Sequence, residues 1–200
     1  NRNGCNFDTP GLADSILNII NDKKLLNFNN IFIAWNPSVI RNRFDCFSVF
    51  NKEFNNTEMN FYMDHTILIK QLISNPIYMK KFINNINKFD NIIYVGPKYM
   101  NNLQINPIKF NKYIDIPDKN CFEMKDIIYD NIINSIKDNS IILFSGGLGI
   151  KYVIYKLYNS IGNNNTLIDL GSVLDPFFDN WSRRTYKKNK DSILKTVEFI

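Results

Sequence analysis

Short apolar runs alternate with stretches of helical periodicity along most of this chain. Apolar residues at i, i+3, i+4 and i+7 mark one face of a helix, and a brief continuous apolar run marks a buried strand. On that basis Leu12, Ala13, Ile16, Leu17 and Ile20 predict a helix running through about Leu26, opened by Thr9 as N-cap and Pro10 as first helical residue. Residues 31–35 predict a strand stopped by Asn36-Pro37, and Ile67, Leu68 and Leu72 predict a second helix. Asn75-Pro76 restarts a helix through Met79, Phe82, Ile83 and Ile86, and residues 92–95 form the next strand, closed by Gly96-Pro97. Residues 113–116 predict a strand, and Ile127, Ile128, Ile132 and Ile136 a helix.

The most informative stretch is 141–175. An apolar run, 141–144, opens into Ser145-Gly146-Gly147-Leu148-Gly149. A helix follows on Ile150, Val153, Ile154, Leu157 and Ile161, and a second apolar run, 167–170, carries Asp169 into Gly171-Ser172. A strand, glycine turn, helix and strand in that order set backbone N–H groups at a helix N-terminus, where a phosphate can bind. Five strands alternating with helices predict an α/β fold, Rossmann-like, with a mostly parallel central sheet flanked by helices. Without repeats or a linker, residues 1–200 read as one domain. The start at Asn1, without Met, reads as a chain lacking an N-terminal segment.

Composition narrows the function classes. Asn and Ile make up roughly a third of the residues, spread along the chain as an AT-rich microbial or viral genome would leave them. The net charge of +5 is concentrated in Arg183, Arg184, Lys187, Lys188 and Lys190. Such a run is a solvated face or a site for a small anion, and no nucleic-acid-binding signature accompanies it. Cys5, Cys46 and Cys121 lack any CxxC spacing, so neither a zinc site nor a disulfide framework is expected. No apolar run is long enough to span a membrane, and a cytoplasmic location, in the source or host cell, is expected.

The candidate chemistry admits more than one reading. The turn departs from G-x-G-x-x-G, because Tyr152 occupies the third position, and lacks the Gly-Lys-Ser/Thr of a P-loop. A tight turn alone accounts for such glycines equally well. Asp169 stands about 20 residues after the turn, as the ribose-binding acid of dinucleotide and S-adenosylmethionine sites does. Asp64-His65 holds the single histidine, an acid–base candidate or a hydrogen-bonded structural residue. Asp175 is a sugar- or cation-binding candidate or a turn acid, and Arg183 and Tyr186 follow closely, a guanidinium suiting a diphosphate.

Taken in order, several segments resemble a family of bacterial, phage and viral proteins with the GT-D-like glycosyltransferase fold. They are Gly4-Cys5-Asn6-Phe7-Asp8, Met63-Asp64-His65, Tyr94-Val95-Gly96-Pro97 and the stretch from Ile114-Asp115-Ile116-Pro117 to Cys121. Ser145-Gly146-Gly147, Ile168-Asp169-Leu170-Gly171-Ser172-Val173-Leu174-Asp175-Pro176 and Ser182-Arg183-Arg184-Thr185-Tyr186 complete the set. The resemblance implies transfer of a sugar from a nucleoside diphosphate sugar, a uridine diphosphate (UDP) sugar above all, to a hydroxyl of a glycan or protein acceptor. It implies Ser145, Gly146, Gly147, Asp169, Gly171, Ser172, Asp175, Arg183 and Tyr186 at the donor, and Asp64 or His65 as the base. The family's Arg-x-Gly-Asp-Gly-Glu, whose Asp-x-Glu would hold Mn or Mg, has no counterpart here, which leaves the metal ligands unassigned. Two alternatives remain at this stage: a non-catalytic module of the same fold, or a Rossmann enzyme using S-adenosylmethionine or a dinucleotide.

Overall fold

The computed structural model describes residues 9–22, 34–35, 62–63, 66–101, 108–161, 164–178, 181 and 183–200. Helix α1 (Leu12–Asn21) leads to β1 (Ala34–Trp35) and β2 (Tyr62–Met63), and then to α2 (Thr66–Ser74) and α3 (Pro76–Ile86). Strands β3 (Asn91–Pro97) and β4 (Lys112–Ile116) precede α4 (Lys125–Ile133), and β5 (Ser140–Phe144), α5 (Ile150–Ile161) and β6 (Thr166–Asp169) follow. Helices α6 (Arg184–Lys188) and α7 (Lys190–Phe199) close the chain.

The α/β class expected from periodicity is the class observed. A four-stranded sheet runs in the order β4-β3-β5-β6, parallel throughout, and β1 and β2 form a separate parallel pair. The runs at 92–95 and 141–144 are apolar at every position because both faces of this sheet are covered. Ile92, Tyr94, Ile141 and Leu143 pack against Leu72 of α2, Met79 and Ile83 of α3 and Ile193 of α7. Ile93, Val95, Ile142 and Phe144 face the opposite layer, built from Ile128 and Ile132 of α4 and Ile150, Val153 and Leu157 of α5.

Some boundaries differ from the periodic reading. Helix α1 begins at Leu12, with Gly11 at its N-cap at φ 76°, and ends at Asn21. Thr9 and Pro10 instead form the preceding turn, in which the Leu12 N–H donates to the Thr9 carbonyl at 3.1 Å. Strand β2 and helices α6 and α7 carry no clean periodic signal. Among the described residues no helix is long and apolar enough to cross a membrane.

Several asparagines have structural work at the amino ends of the strands. The Ile92 N–H donates to Asn111 Oδ1 at 2.7 Å, and the Ser140 N–H to Asn165 Oδ1 at 3.0 Å. Buried Asn91 donates through Nδ2 to the Ser135 carbonyl at 3.1 Å and to Ser140 Oγ at 2.7 Å. Ser140 Oγ keeps other partners, the Lys137 N–H and carbonyl, so truncating Asn91 strands little. Asn91→Ala is therefore expected to cost about 1 kcal/mol, measured by urea denaturation.

Candidate functional site

The strand order reverses at the middle of the sheet. From β3 the chain steps outward to β4, then crosses back so that β5 lies on the other side of β3. In open α/β sheets the crevice outside the carboxyl ends of the strands at such a reversal is where ligands bind. Here that point lies between Pro97, which ends β3, and Ser145, which follows β5.

Each side of the crevice is tied to another by a specific contact. Tyr94 Oη lies 2.8 Å from Ser145 Oγ and 3.2 Å from Met100 Sδ, joining β3 to the glycine turn. Tyr113 Oη donates to the Pro97 carbonyl at 2.7 Å, and Asn101 Nδ2 to Asp115 Oδ1 at 3.1 Å, joining β3 to β4. The Cys121 thiol donates to the Gly146 carbonyl at 2.9 Å. Beyond β6, Tyr186 Oη donates to the Ser172 carbonyl at 2.7 Å, pinning α6 against the loop that follows that strand. This contact brings Arg183, which precedes α6, over Asp175, with Nε 4.0 Å from Oδ2.

The turn glycines are there for three separate reasons. A Cβ on Gly146 would stand 2.8 Å from both Ile116 Cδ1 and Ile150 Cβ. One on Gly149 would stand 2.9 Å from the Phe122 amide nitrogen and from Cys121 Sγ. Gly147 has φ 65°, a conformation L side chains rarely adopt. Packing and turn geometry thus explain these residue types without a ligand. What remains for a ligand is the backbone: among the described residues the amides of Gly146, Gly147 and Gly149 donate to no main-chain carbonyl.

Asp169 ends β6 and is already engaged. Its Oδ1 accepts the Gly171 N–H at 2.9 Å, and Lys151 Nζ, from the first turn of α5, pairs with Oδ2. Lys151 is a site residue that the periodic reading passed over, because it looks like any solvated helix position. Its signal was its place, two residues after Gly149 at the start of the helix.

Asp175 is the outlying group electrostatically. Its side chain keeps only 10% of its surface, and burial pushes its carboxyl up to about 7, against the opposing pull of the Arg183 guanidinium. Burial also holds the Tyr94 phenol well above its usual range, and raises that of Tyr186 to about 12, so both remain neutral hydrogen-bonding groups.

No family model, curated protein or solved structure matches this chain. Ser145, Gly146, Gly147, Asp169, Gly171, Ser172, Asp175, Arg183 and Tyr186 all lie at or just beyond the carboxyl ends of β5 and β6. Asp64 and His65, the expected base, lie outside the described residues. Among the described residues no three His, Cys, Asp or Glu side chains gather as a metal-binding set. A surface depression of about 330 Å³, lined by Asn87, Asp90 and Lys109 among others, lies near the amino ends of β3 and β4. It is at the opposite edge of the sheet from these residues.

Proposed function

We propose that this protein binds a nucleoside diphosphate sugar, with UDP as the nucleotide, and transfers the sugar to a hydroxyl of a glycan or protein acceptor. One observation carries the reading: the described segments that resemble the GT-D-like family converge on the carboxyl edge of the sheet around the reversal between β3 and β5. The loops that follow parallel strands share that edge by topology, and the support for a ligand lies in the reversal between β3 and β5, where open α/β sheets hold their ligands.

The chemistry supports it further. Departure of a diphosphate requires compensation of developing negative charge. The glycine-turn amides and the Arg183 guanidinium are the groups at hand, with Lys151 beside them in its ion pair with Asp169. UDP is expected to raise the melting temperature of the protein. Arg183→Ala is expected to weaken UDP binding by about 1.5–3 kcal/mol, the worth of a hydrogen bond to a charged group, read by calorimetric titration with and without manganese. A panel of nucleoside diphosphates and sugar nucleotides producing no melting shift would count decisively against the reading. UDP binding without turnover of any donor would favour the non-catalytic module instead.

A second reading has one observation in its favour. Asp169 ends the strand next to the glycine turn, as the ribose-binding acid does in sites for S-adenosylmethionine or dinucleotides. In either reading a ribose would have to share Asp169 with the Gly171 N–H and Lys151, which engage both carboxylate oxygens. Stabilisation by S-adenosylmethionine or a dinucleotide, with none by UDP, would establish this second reading over the first.

A further inference from the structure

Asp175 is a carboxyl that the fold does not use. The side chain is nine-tenths buried, and its one polar partner among the described residues is Arg183, whose Nε at 4.0 Å is beyond hydrogen-bonding distance. Around it stand Tyr94 from β3 and Tyr186 from α6, whose hydroxyls are committed to Ser145, Met100 and Ser172. An acid that only closed a turn would lie in water or accept backbone N–H bonds, as Asp169 does from Gly171. Asp175 instead keeps its acceptor capacity free, within the field of a guanidinium and behind a wall of neutral phenols.

We propose that Asp175 is the proton acceptor for the incoming hydroxyl in the sugar transfer, an assignment that rests on the sugar-nucleotide reading above. In this step the acceptor O–H gives its proton to an Asp175 carboxylate oxygen while the acceptor oxygen forms a bond to the anomeric carbon of the donor. The bond from that carbon to the diphosphate oxygen breaks, and the electron pair leaves with the diphosphate. Water then takes the proton from Asp175 and restores the carboxylate. Arg183 serves both halves, holding Asp175 charged often enough to act and facing the departing diphosphate. Burial serves the step as well, since a carboxylate with few hydrogen bonds is a stronger base than one in water.

The test uses the whole chain, wild type and Asp175→Asn, with UDP-glucose, UDP-galactose and UDP-N-acetylglucosamine as donors and water as acceptor, following UDP release. The expected result is a kcat at least about 100-fold lower in D175N, with the UDP-induced melting shift retained. Asp175→Glu should recover part of the rate. The wild-type rate should rise with pH as the carboxyl ionises, and the residual rate in D175N should lack that rise. Equal turnover and the same pH profile in wild type and D175N would overturn this assignment while leaving the sugar-nucleotide reading intact. Loss of the UDP shift in a folded D175N would also overturn it, making Asp175 a binding group. A wild-type protein that neither responds to UDP nor releases it would sink the reading and the assignment together.

Discussion

Asp175→Asn is expected to make the folded protein more stable at pH 8 and to leave it little changed at pH 4. The carboxyl sits at about 7 in the fold, against about 3.9 in an unfolded chain. Between those values the folded state binds the additional proton, so stability falls as pH rises through that window. Below it both states are protonated and the group contributes nothing. Above it the native state carries the full cost of a buried charge, about 4 kcal/mol for a shift of about three units. Asparagine removes the charge and buries an amide in place of the neutral carboxyl, two groups of similar burial cost, so a net gain of about 4 kcal/mol is expected at pH 8. Urea denaturation of both proteins at pH 4, 6 and 8 measures this directly. Parallel pH slopes would show that folding does not shift the Asp175 carboxyl. A residue that lowers stability at neutral pH is one that folding alone does not favour, and sites that bind or react are where such residues are tolerated.

The second large effect is expected at Gly149. A Cβ there meets the Phe122 backbone nitrogen and the Cys121 sulfur at 2.9 Å, and the backbone partner cannot swing aside as a side-chain tip would. Gly149→Val should therefore destabilise the fold by about 3 kcal/mol. It should also separate the start of α5 from the short helical segment Cys121–Met124. The Cys121 thiol holds the Gly146 carbonyl, so that displacement moves the glycine turn. The expected readout is a lower urea midpoint with a weakened UDP shift under conditions where the variant remains folded. A Gly149→Val protein as stable as wild type would mean that the close approach of turn and helical segment is easily relieved. Gly147 differs, since its demand is the positive φ.

How far the sequence carried depended on the kind of signal. Strands β3 and β5 were legible because a parallel strand covered on both faces must be apolar at nearly every position, as Ile92, Ile93, Tyr94 and Val95 are. Helices α3 and α5 were legible because each buries one stripe at helical spacing. Strand β2 escaped because two residues hold no period, and α6 because its five residues bury only Tyr186. Of the candidate site, the glycine turn, Asp169, Asp175 and Arg183 were visible as residue types in a suggestive order. Lys151, and the Tyr94 hydroxyl against Ser145, were not, since each depends on a partner from a distant part of the chain.

The sequence by itself determined the α/β class, the strand–turn–helix–strand unit around Ser145 to Asp169, and the stock of groups that an anionic ligand would need. Those are local matters, governed by side-chain periodicity and by what a tight turn demands of glycine. Only the tertiary structure decided the strand order β4-β3-β5-β6, and with it which loops share an edge. Only the packing of α6 through Tyr186 onto Ser172 decided that Arg183 stands over Asp175 and that Asp175 loses its water. The physical reason is that burial and proximity are properties of the packed chain: an aspartate becomes a base of unusual strength through its surroundings, and those come from residues that are not its neighbours in sequence.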